Sequence, residues 1–281
     1  MQSQIKTIGF FYRENHSLSK VWENKIVKWL KNKYPKVKVV RKHPEFLIVL
    51  GGDGTILEAV RKFAKNTAPT ILGLNLGHVG FLASIRNPKN FLTGLDKLFK
   101  EGPRIIKKLM VEVEVIRNNK KVFRTNAFND VVVENPLGVV EIEVKIEKDT
   151  IQCVRGTGVM VSTASGSTAF NLSAHGPIVM PDIKCLIVTE IMDHNIPTPS
   201  IIVKRNREIE IKIASFRERK LISLTKTKEP FDVLLIADGE NLFPLKEKDA
   251  VLVRRSSRLV KFAELEKNYF FKSLQEKFYF G

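Results

Sequence analysis

The first hundred residues alternate short apolar runs with stretches in which apolar side chains return every three or four positions, the signature of strand and helix in turn. Residues 6–12 (KTIGFFY) predict a first strand. Leu18, Val21, Trp22, Ile26, Trp29 and Leu30 fall at helical spacing, and Val37 to Val40 then predicts a second strand. Phe46 to Leu50 predicts a third, buried strand. After a glycine-rich turn, Ile56 to Lys65 predicts a helix with Leu57, Val60 and Phe63 or Ala64 on one face, and Thr70 to Leu74 a further strand. This βαβ alternation builds a mainly parallel sheet, with the glycines at the crossover.

After about Gly102 the period changes to two. Leu109, Val111, Val113 and Val115 lie on one side and Glu112 and Glu114 on the other, with Asn118-Asn119 as a turn. Similar runs return at Val139 to Ile146, Ile209 to Ile213, Phe231 to Ala237 and Ala250 to Val253. Beyond Arg258 the residues Phe262, Leu265, Tyr269, Phe270, Leu274 and Phe278 go back towards helical spacing. The pattern predicts an α/β N-terminal domain over residues 1–102, followed by an all-β C-terminal domain over 103–257, with a segment from about 258 to 281 packing back on the first. A chain of 281 residues is long enough for two such cores.

Composition narrows the class without choosing a function. Hydrophobic residues at 43% and charged residues at 27% fit a soluble globular chain and argue against a disordered, collagenous or membrane protein. The start, MQSQIKTIGFFY, lacks a basic segment followed by a long apolar run, and no stretch approaches the roughly 18–20 apolar residues of a membrane span. Cys153 and Cys185 have no CxxC spacing, so they are read as two core thiols in a reducing compartment, and the cytoplasm is the expected location. The net charge of +17 is spread over Lys33 to Lys42, Lys97 to Lys108, Lys204 to Lys228 and Arg254 to Lys261. Such a field attracts phosphorylated small molecules and nucleic acid alike, and a solvated basic surface accounts for it equally well.

Three segments carry candidate chemistry. Gly51-Gly52-Asp53-Gly54-Thr55 directly follows a buried strand and precedes a helix. Its glycines let backbone approach a ligand, and the helix start offers unpaired N–H groups to phosphate oxygens. Asp53 is the part a tight turn does not require, although an aspartate helix cap is the plain alternative. Asn75-Leu76-Gly77-His78-Val79-Gly80-Phe81-Leu82 follows the next strand, at the sheet edge where open α/β folds bind ligands, and His78 is read as a loop histidine rather than a metal ligand. The stretch from Arg155 to Phe170 is rich in hydroxyls and glycine, suited to sugars, amides and phosphates, with Phe170 able to wall a flat ring; the alternative is a Ser/Thr-rich turn region.

Taken together, these segments resemble the NAD kinases. Gly51 to Thr55 corresponds to that family's GGDGT, Asn75 to Leu82 to its N-x-G-x-x-G-F-L, and Asn129-Asp130 to its Asn-Glu/Asp pair. Ser162 to Pro177 corresponds to its long S-T-x-x-G-S-T-A-Y-x-x-S-A-x-G-P stretch, Asp238-Gly239-Glu240 to its DGQ, and Tyr269-Phe270 with Leu274 to its tail. GGDGT alone would not separate it from lipid kinases or phosphofructokinases.

The resemblance implies an active site in the cleft between an α/β and an all-β domain, and phosphoryl transfer from ATP to the 2′-hydroxyl of NAD's adenosine ribose. By it, Asp53 is the general base, Gly51, Gly52, Gly54 and Thr55 bind phosphate, and Asn129 and Asp130 hold adenosine. Thr168, Ala169, Phe170 and Ser173 wall the adenine, and Gly54, Phe81, Arg155, Thr157 and Glu240 complete the NAD site. Mg²⁺ enters with ATP and no protein metal cage is expected. A homo-oligomer, dimer or tetramer, is implied, in which the loop at Arg155 to Gly158 reaches a neighbouring site; no membrane or nucleic-acid partner is. The chain departs from the family pattern at Thr157 (usually Asp), Ala164-Ser165 (Pro-Thr), Phe170 (Tyr), His175 (Gly), Pro199 (Arg) and Glu240 (Gln), which marks a divergent member. The rival readings are a lipid kinase sharing GGDGT and a non-catalytic dinucleotide- or nucleic-acid-binding protein.

Overall fold

In the computed structural model, which describes residues 5–14, 16–64, 68–77, 80–195, 198–225, 227–265 and 269–278, the chain opens with β1 (Thr7–Phe11), α1 (Ser17–Lys33), β2 (Lys38–Val39), β3 (Phe46–Leu50), α2 (Asp53–Phe63), β4 (Thr70–Leu74) and α3 (Phe91–Glu101). It continues through β5 (Arg104–Arg117), β6 (Lys120–Ala127), β7 (Asp130–Glu134), β8 (Val140–Ile146), β9 (Asp149–Thr163) and the short α4 (Phe170–Ser173). Then come β10 (Cys185–Asp193), β11 (Ile201–Lys204), β12 (Ile209–Phe216), β13 (Ile222–Ser223), β14 (Pro230–Phe231), β15 (Val233–Ala237), β16 (Asn241–Leu245), β17 (Ala250–Glu264) and α5 (Tyr269–Phe278). Contacts divide the chain into two units, Met1–Lys108 with Leu259–Gly281, and Leu109–Arg258.

The first unit is α/β. Its sheet runs β2-β1-β3-β4, closed by the end of β17, and each of these pairings is parallel. β3 and β4 are buried at every position, which is why β3 and all of β4 but Thr70 read as apolar runs rather than alternations. Ile8, Ile48, Leu50, Leu72 and Leu74 of the sheet share one core with Ile26 and Leu30 of α1 and with Phe91, Leu95 and Leu98 of α3. Each such side chain contributes roughly 1.5–3 kcal/mol relative to exposure. α2 begins three residues before the predicted start, with Gly52 at the N-cap and Asp53 as its first residue. Asp53-Gly54-Thr55 is therefore the first helical turn and not a free loop; Lys65, its predicted end, lies outside the described residues.

The second unit is mostly antiparallel β, in the order β16-β15-β7-β9-β8-β12-β17, with β10 and β11 added to β9 and with the β5–β6 hairpin. Asn118 and Asn119 both have positive φ, as a two-residue hairpin turn of type I′ requires. Val111, Val113 and Val115 of β5 are fully buried beside Val131, Val133, Val159, Val161, Ile211 and Val251.

Two expectations are corrected. Phe262 does not open a helix, because β17 continues to Glu264 and pairs at Lys261 and Phe262 with β4; only from Tyr269 is the tail helical. Cys185 is a buried thiol but Cys153 is exposed, since on β9 it alternates with the inward-facing Val154.

Candidate functional site

The end of β3 and the first turn of α2 make an anion cradle. Thr55 and Ile56 N–H both donate to Gly52 O, and Gly51 N–H donates to Leu74 O. The N–H groups of Gly52, Asp53 and Gly54 are left without an acceptor among the described residues, at the positive end of the helix dipole. Gly51 is needed for space: a Cβ there would press on the side chain of Thr55, which is itself buried. Thr55 thus shapes the turn, and its own N–H is already occupied.

Asp53 projects from this turn towards the second glycine loop. Its Oδ2 accepts the Phe81 N–H at 2.7 Å and its Oδ1 the Leu82 N–H at 3.1 Å. Gly80 must be glycine, because any Cβ would collide with the carboxylate. The two sequence-predicted loops are brought together in this way, with Asp53 as the joint. Phe81 contributes its backbone: the ring is buried, 5.7 Å from that of Phe270, with Lys277 Nζ 5.1 Å from its centre. Asn75 turns the loop by accepting Gly77 N–H at 3.0 Å, while His78 and Val79 lie outside the described residues.

Two cations near this carboxylate were not legible as site residues. Lys108 is buried, its Nζ 5.3 Å from the Phe262 ring centre. Burial draws its pKa down to about 8, against the pull of Asp53 and Glu264. Nothing in its alternating strand marks Lys108 as an inward residue. Arg13, just after β1, carries Nη2 to 3.6 Å from the place a Gly54 Cβ would occupy and pairs with Glu58 at 2.9 Å.

In the second unit Asn129 and Asp130 sit where β7 begins, held by a carboxylate from elsewhere in the chain. Asp238 accepts from Phe128 N–H and Asn129 N–H, both at 2.7 Å, and from Asp130 N–H at 3.3 Å. It stands in the β15–β16 turn, where both Asp238 and Gly239 have positive φ. Burial, with the Asp238 carboxylate beside it, pushes the Asp130 carboxyl up to about 7. Asn129 Oδ1 is buried with no hydrogen-bond partner among the described residues, which marks an acceptor left for a ligand or water. The resemblance singled out Asp238 within the Asp238-Gly239-Glu240 motif but not among the site residues; the structure shows it tied to the backbone of residues 128–130.

The hydroxyl-rich stretch divides into framework and exposed positions. Thr163 donates to Phe128 O at 2.7 Å, Ser162 lies 3.3 Å from Asn129 O, and the Ser167 hydroxyl is shared among Ala164 and Val179 backbone groups. These buried hydroxyls therefore brace the Asn129 loop and are not free for a sugar, which corrects the reading of the whole stretch as ligand-facing. Thr168 and Ala169 are half-buried beside it, while Phe170 and Ser173 on α4 and Glu240 in the 238–240 turn are exposed. Arg155 and Thr157 lie further back on β9. Ser162 stands five positions on from Thr157, about 17 Å of extended chain. Arg155 is exposed and pairs with Glu141 at 3.2 Å; Thr157 is half-buried. Gly156 and Gly158 face the other way, where a Cβ would strike the Met192 and Val133 carbonyls. His175 has φ +60°, a left-handed conformation that suits glycine best and histidine better than most residues.

The comparisons with known proteins agree on one family. Residues 11–103 match the model of the ATP-NAD kinase N-terminal domain and residues 129–265 that of the ATP-NAD kinase C-terminal domain. The NAD kinase of Lachnoclostridium phytofermentans is 35% identical over 253 residues, covering 89% of this chain and 85% of the relative. That of Symbiobacterium thermophilum is 34% identical, covering 83% of this chain and 78% of the relative. Among solved structures, yeast NADH kinase complexed with NADH superposes with a TM-score of 0.85 at 21% identity, over 100% of this chain and 89% of that one. An Archaeoglobus fulgidus NAD kinase in complex with ATP gives 0.74 at 22% identity, over 96% and 98%. At those identities the two structures bear on the fold alone.

Proposed function

The chain belongs to the NAD kinase family, and from that premise we propose that it transfers the terminal phosphate of ATP to the 2′-hydroxyl of the adenosine ribose of NAD, giving NADP and ADP. The observation that carries the reading is the Asp53 carboxylate, fixed by the Phe81 and Leu82 N–H groups and standing on the helical turn whose Gly52, Asp53 and Gly54 N–H groups have no acceptor among the described residues. A carboxylate beside bound phosphates is repelled unless it has a proton to take, and the ribose hydroxyl supplies one.

In this reading Asp53 accepts the 2′-hydroxyl proton as the ribose oxygen bonds to the γ-phosphorus and the bond to ADP breaks. The free N–H groups of Gly52, Asp53 and Gly54 hold phosphate, in a turn shaped by Gly51 and Thr55, and catalysis is mostly positioning and charge stabilisation. Asn129 and Asp130 hold the adenosine, with Asn129 Oδ1 as an acceptor for one of its donors. Thr168, Ala169, Phe170 and Ser173 wall the adenine, while Arg155, Thr157 and Glu240 meet the rest of the dinucleotide. Among the described residues no three His, Cys, Asp or Glu side chains are grouped to hold a metal. Mg²⁺ belongs with the triphosphate as part of the substrate. No helix among the described residues is long and apolar enough to cross a membrane. Cytoplasmic location and a homo-oligomer complete the reading, and a single-chain mass in light scattering would remove the latter.

The test is direct. The chain incubated with ATP, Mg²⁺ and NAD yields NADP, read by an NADP-specific dehydrogenase. Absence of NADP under conditions where the protein is folded would remove the proposal in favour of a non-catalytic dinucleotide binder.

A further inference from the structure

The peptide between Gly80 and Phe81 is held from both ends. Its N–H donates to Asp53 Oδ2 at 2.7 Å. Its oxygen, Gly80 O, accepts from two hydroxyls of the C-terminal helix, Tyr269 Oη at 3.1 Å and Ser273 Oγ at 3.0 Å. We propose that α5 positions the Asp53 carboxylate, with Tyr269 and Ser273 acting through this one peptide as positioning residues for phosphoryl transfer. The proposal rests on the reading of Asp53 as the base.

Several features separate this arrangement from ordinary helix docking. Ser273 is fully buried and Tyr269 nearly so, so neither hydroxyl has water as an alternative partner. Burial also pushes the Tyr269 phenol up to about 12, which keeps its proton in place as a donor through the neutral range. Ser273 has one proton and two acceptors in reach, Gly80 O and Tyr269 O at 3.1 Å. Each acceptor also has a second donor, the Arg86 guanidinium on Tyr269 O at 2.8 Å and the Tyr269 hydroxyl on Gly80 O at 3.1 Å, so the Ser273 proton is shared between them. Arg86 also donates to Ser273 Oγ at 2.7 Å and lies over the Tyr269 ring, 4.5 Å from its centre.

A hydroxyl that accepts from a guanidinium is a stronger donor, and a carbonyl that accepts two hydroxyls polarises its peptide so that the N–H donates more strongly. The chain of bonds runs from Arg86 through Ser273 and the 80–81 peptide to the carboxylate. Gly80 completes it, because a side chain there would displace Asp53. Removing the two hydroxyls leaves Gly80 O buried without partners and lets the peptide rotate, so the carboxylate loses its fixed aim while the phosphate cradle of α2 is untouched.

The experiment compares Tyr269→Phe, Ser273→Ala and their combination, each in the parent chain and in Asp53→Asn. In the parent, the combined variant should lower kcat about tenfold or more, with KM for ATP and NAD within about twofold, since alignment of the reacting group and not ground-state binding is disturbed. Tyr269→Phe alone keeps the ring and should give a smaller loss of the same kind. In Asp53→Asn, the residual turnover should not fall further. Unchanged kcat in the combined variant beside a disabled Asp53→Asn would overturn the proposal alone. So would an equal loss in both backgrounds, or a parallel rise in KM, because either is the mark of general structural damage. Near-normal turnover in Asp53→Asn by itself would remove the base reading and this proposal with it.

Discussion

Two carboxylates, one in each unit, use the same bond in opposite senses. Asp53 is presented by the chain: two backbone N–H groups of one loop fix a side chain that remains half-exposed at the helix start. Asp238 presents the chain: a 5%-exposed carboxylate fixes the backbone of residues 128–130 at the start of β7. A carboxylate has about four lone-pair positions, so one that accepts two N–H bonds keeps capacity for a proton. One that accepts three and is buried beside a second carboxylate serves mainly as scaffold. The first should therefore be read in kinetics and the second in stability, and exchanging those outcomes would break the comparison.

The largest effect is expected at Asp53. Asp53→Asn keeps the shape but cannot take the ribose proton, and its amide cannot accept from both loop N–H groups. We expect kcat to fall by roughly two to four powers of ten with a smaller change in KM, and NAD still to bind in calorimetry. Retention of near-normal turnover would leave positioning by the glycine turn as the source of catalysis.

Asp238→Ala comes next. Three backbone N–H groups, with Phe128 fully buried, would lose a charged acceptor. Unpaired buried donors cost about 1–3 kcal/mol each, part of which is returned because Asp130 loses a like-charged neighbour. A net loss of roughly 3 kcal/mol in urea unfolding is expected. It should be accompanied by weaker NAD binding as the Asn129 loop loosens. A variant as stable as the parent but catalytically inactive would place Asp238 with Asp53 rather than opposite it.

The sequence carries this division unevenly. β3 and β4 are legible because strands buried on both faces leave short runs that are almost wholly apolar, and α1 because Trp22, Ile26, Trp29 and Leu30 fall at helical spacing and pack into the core, although Leu18 and Val21 of the predicted face are exposed. The start of α2 is not, because Gly-Asp-Gly reads as turn chemistry even where it forms the first turn of a helix. Nor is the end of β17: Phe262 and Leu265 are three apart and read as helical, while pairing with β4 makes Phe262 part of a strand. At the site, the glycine turns announce themselves by composition. What composition does not disclose is which hydroxyls face a ligand and which tie backbone, as Thr163 ties Phe128. Asp238 and Phe128 lie 110 positions apart, and that bond follows from sheet order, not from any local pattern.

The smallest effect sharpens the comparison through pH. Asp130 is buried, and that burial, with the Asp238 carboxylate beside it, pushes its carboxyl from the ordinary aspartate value of 3.8 up to about 7. Between those values the folded state holds a proton the unfolded state has lost, so stability falls as pH rises through that window and the full cost of the buried charge is present above it. Asp130→Asn resembles the protonated acid and cannot ionise. We expect it to stay within a few degrees of the parent in thermal melting at pH 4, near the lower end of that window, and to melt clearly higher, by several degrees or more, at pH 8, since roughly 1 kcal/mol moves the midpoint of a domain of this size by about 2–4 °C. The melts are made without NAD, because the same substitution weakens the proposed adenosine contact. If the difference were equal at both pH values, packing and not charge would be its cause. A lower midpoint at pH 8 would mean that ionised Asp130 is stabilised where it lies, and the burial beside Asp238 that sets the two carboxylates apart from Asp53 would no longer explain their roles.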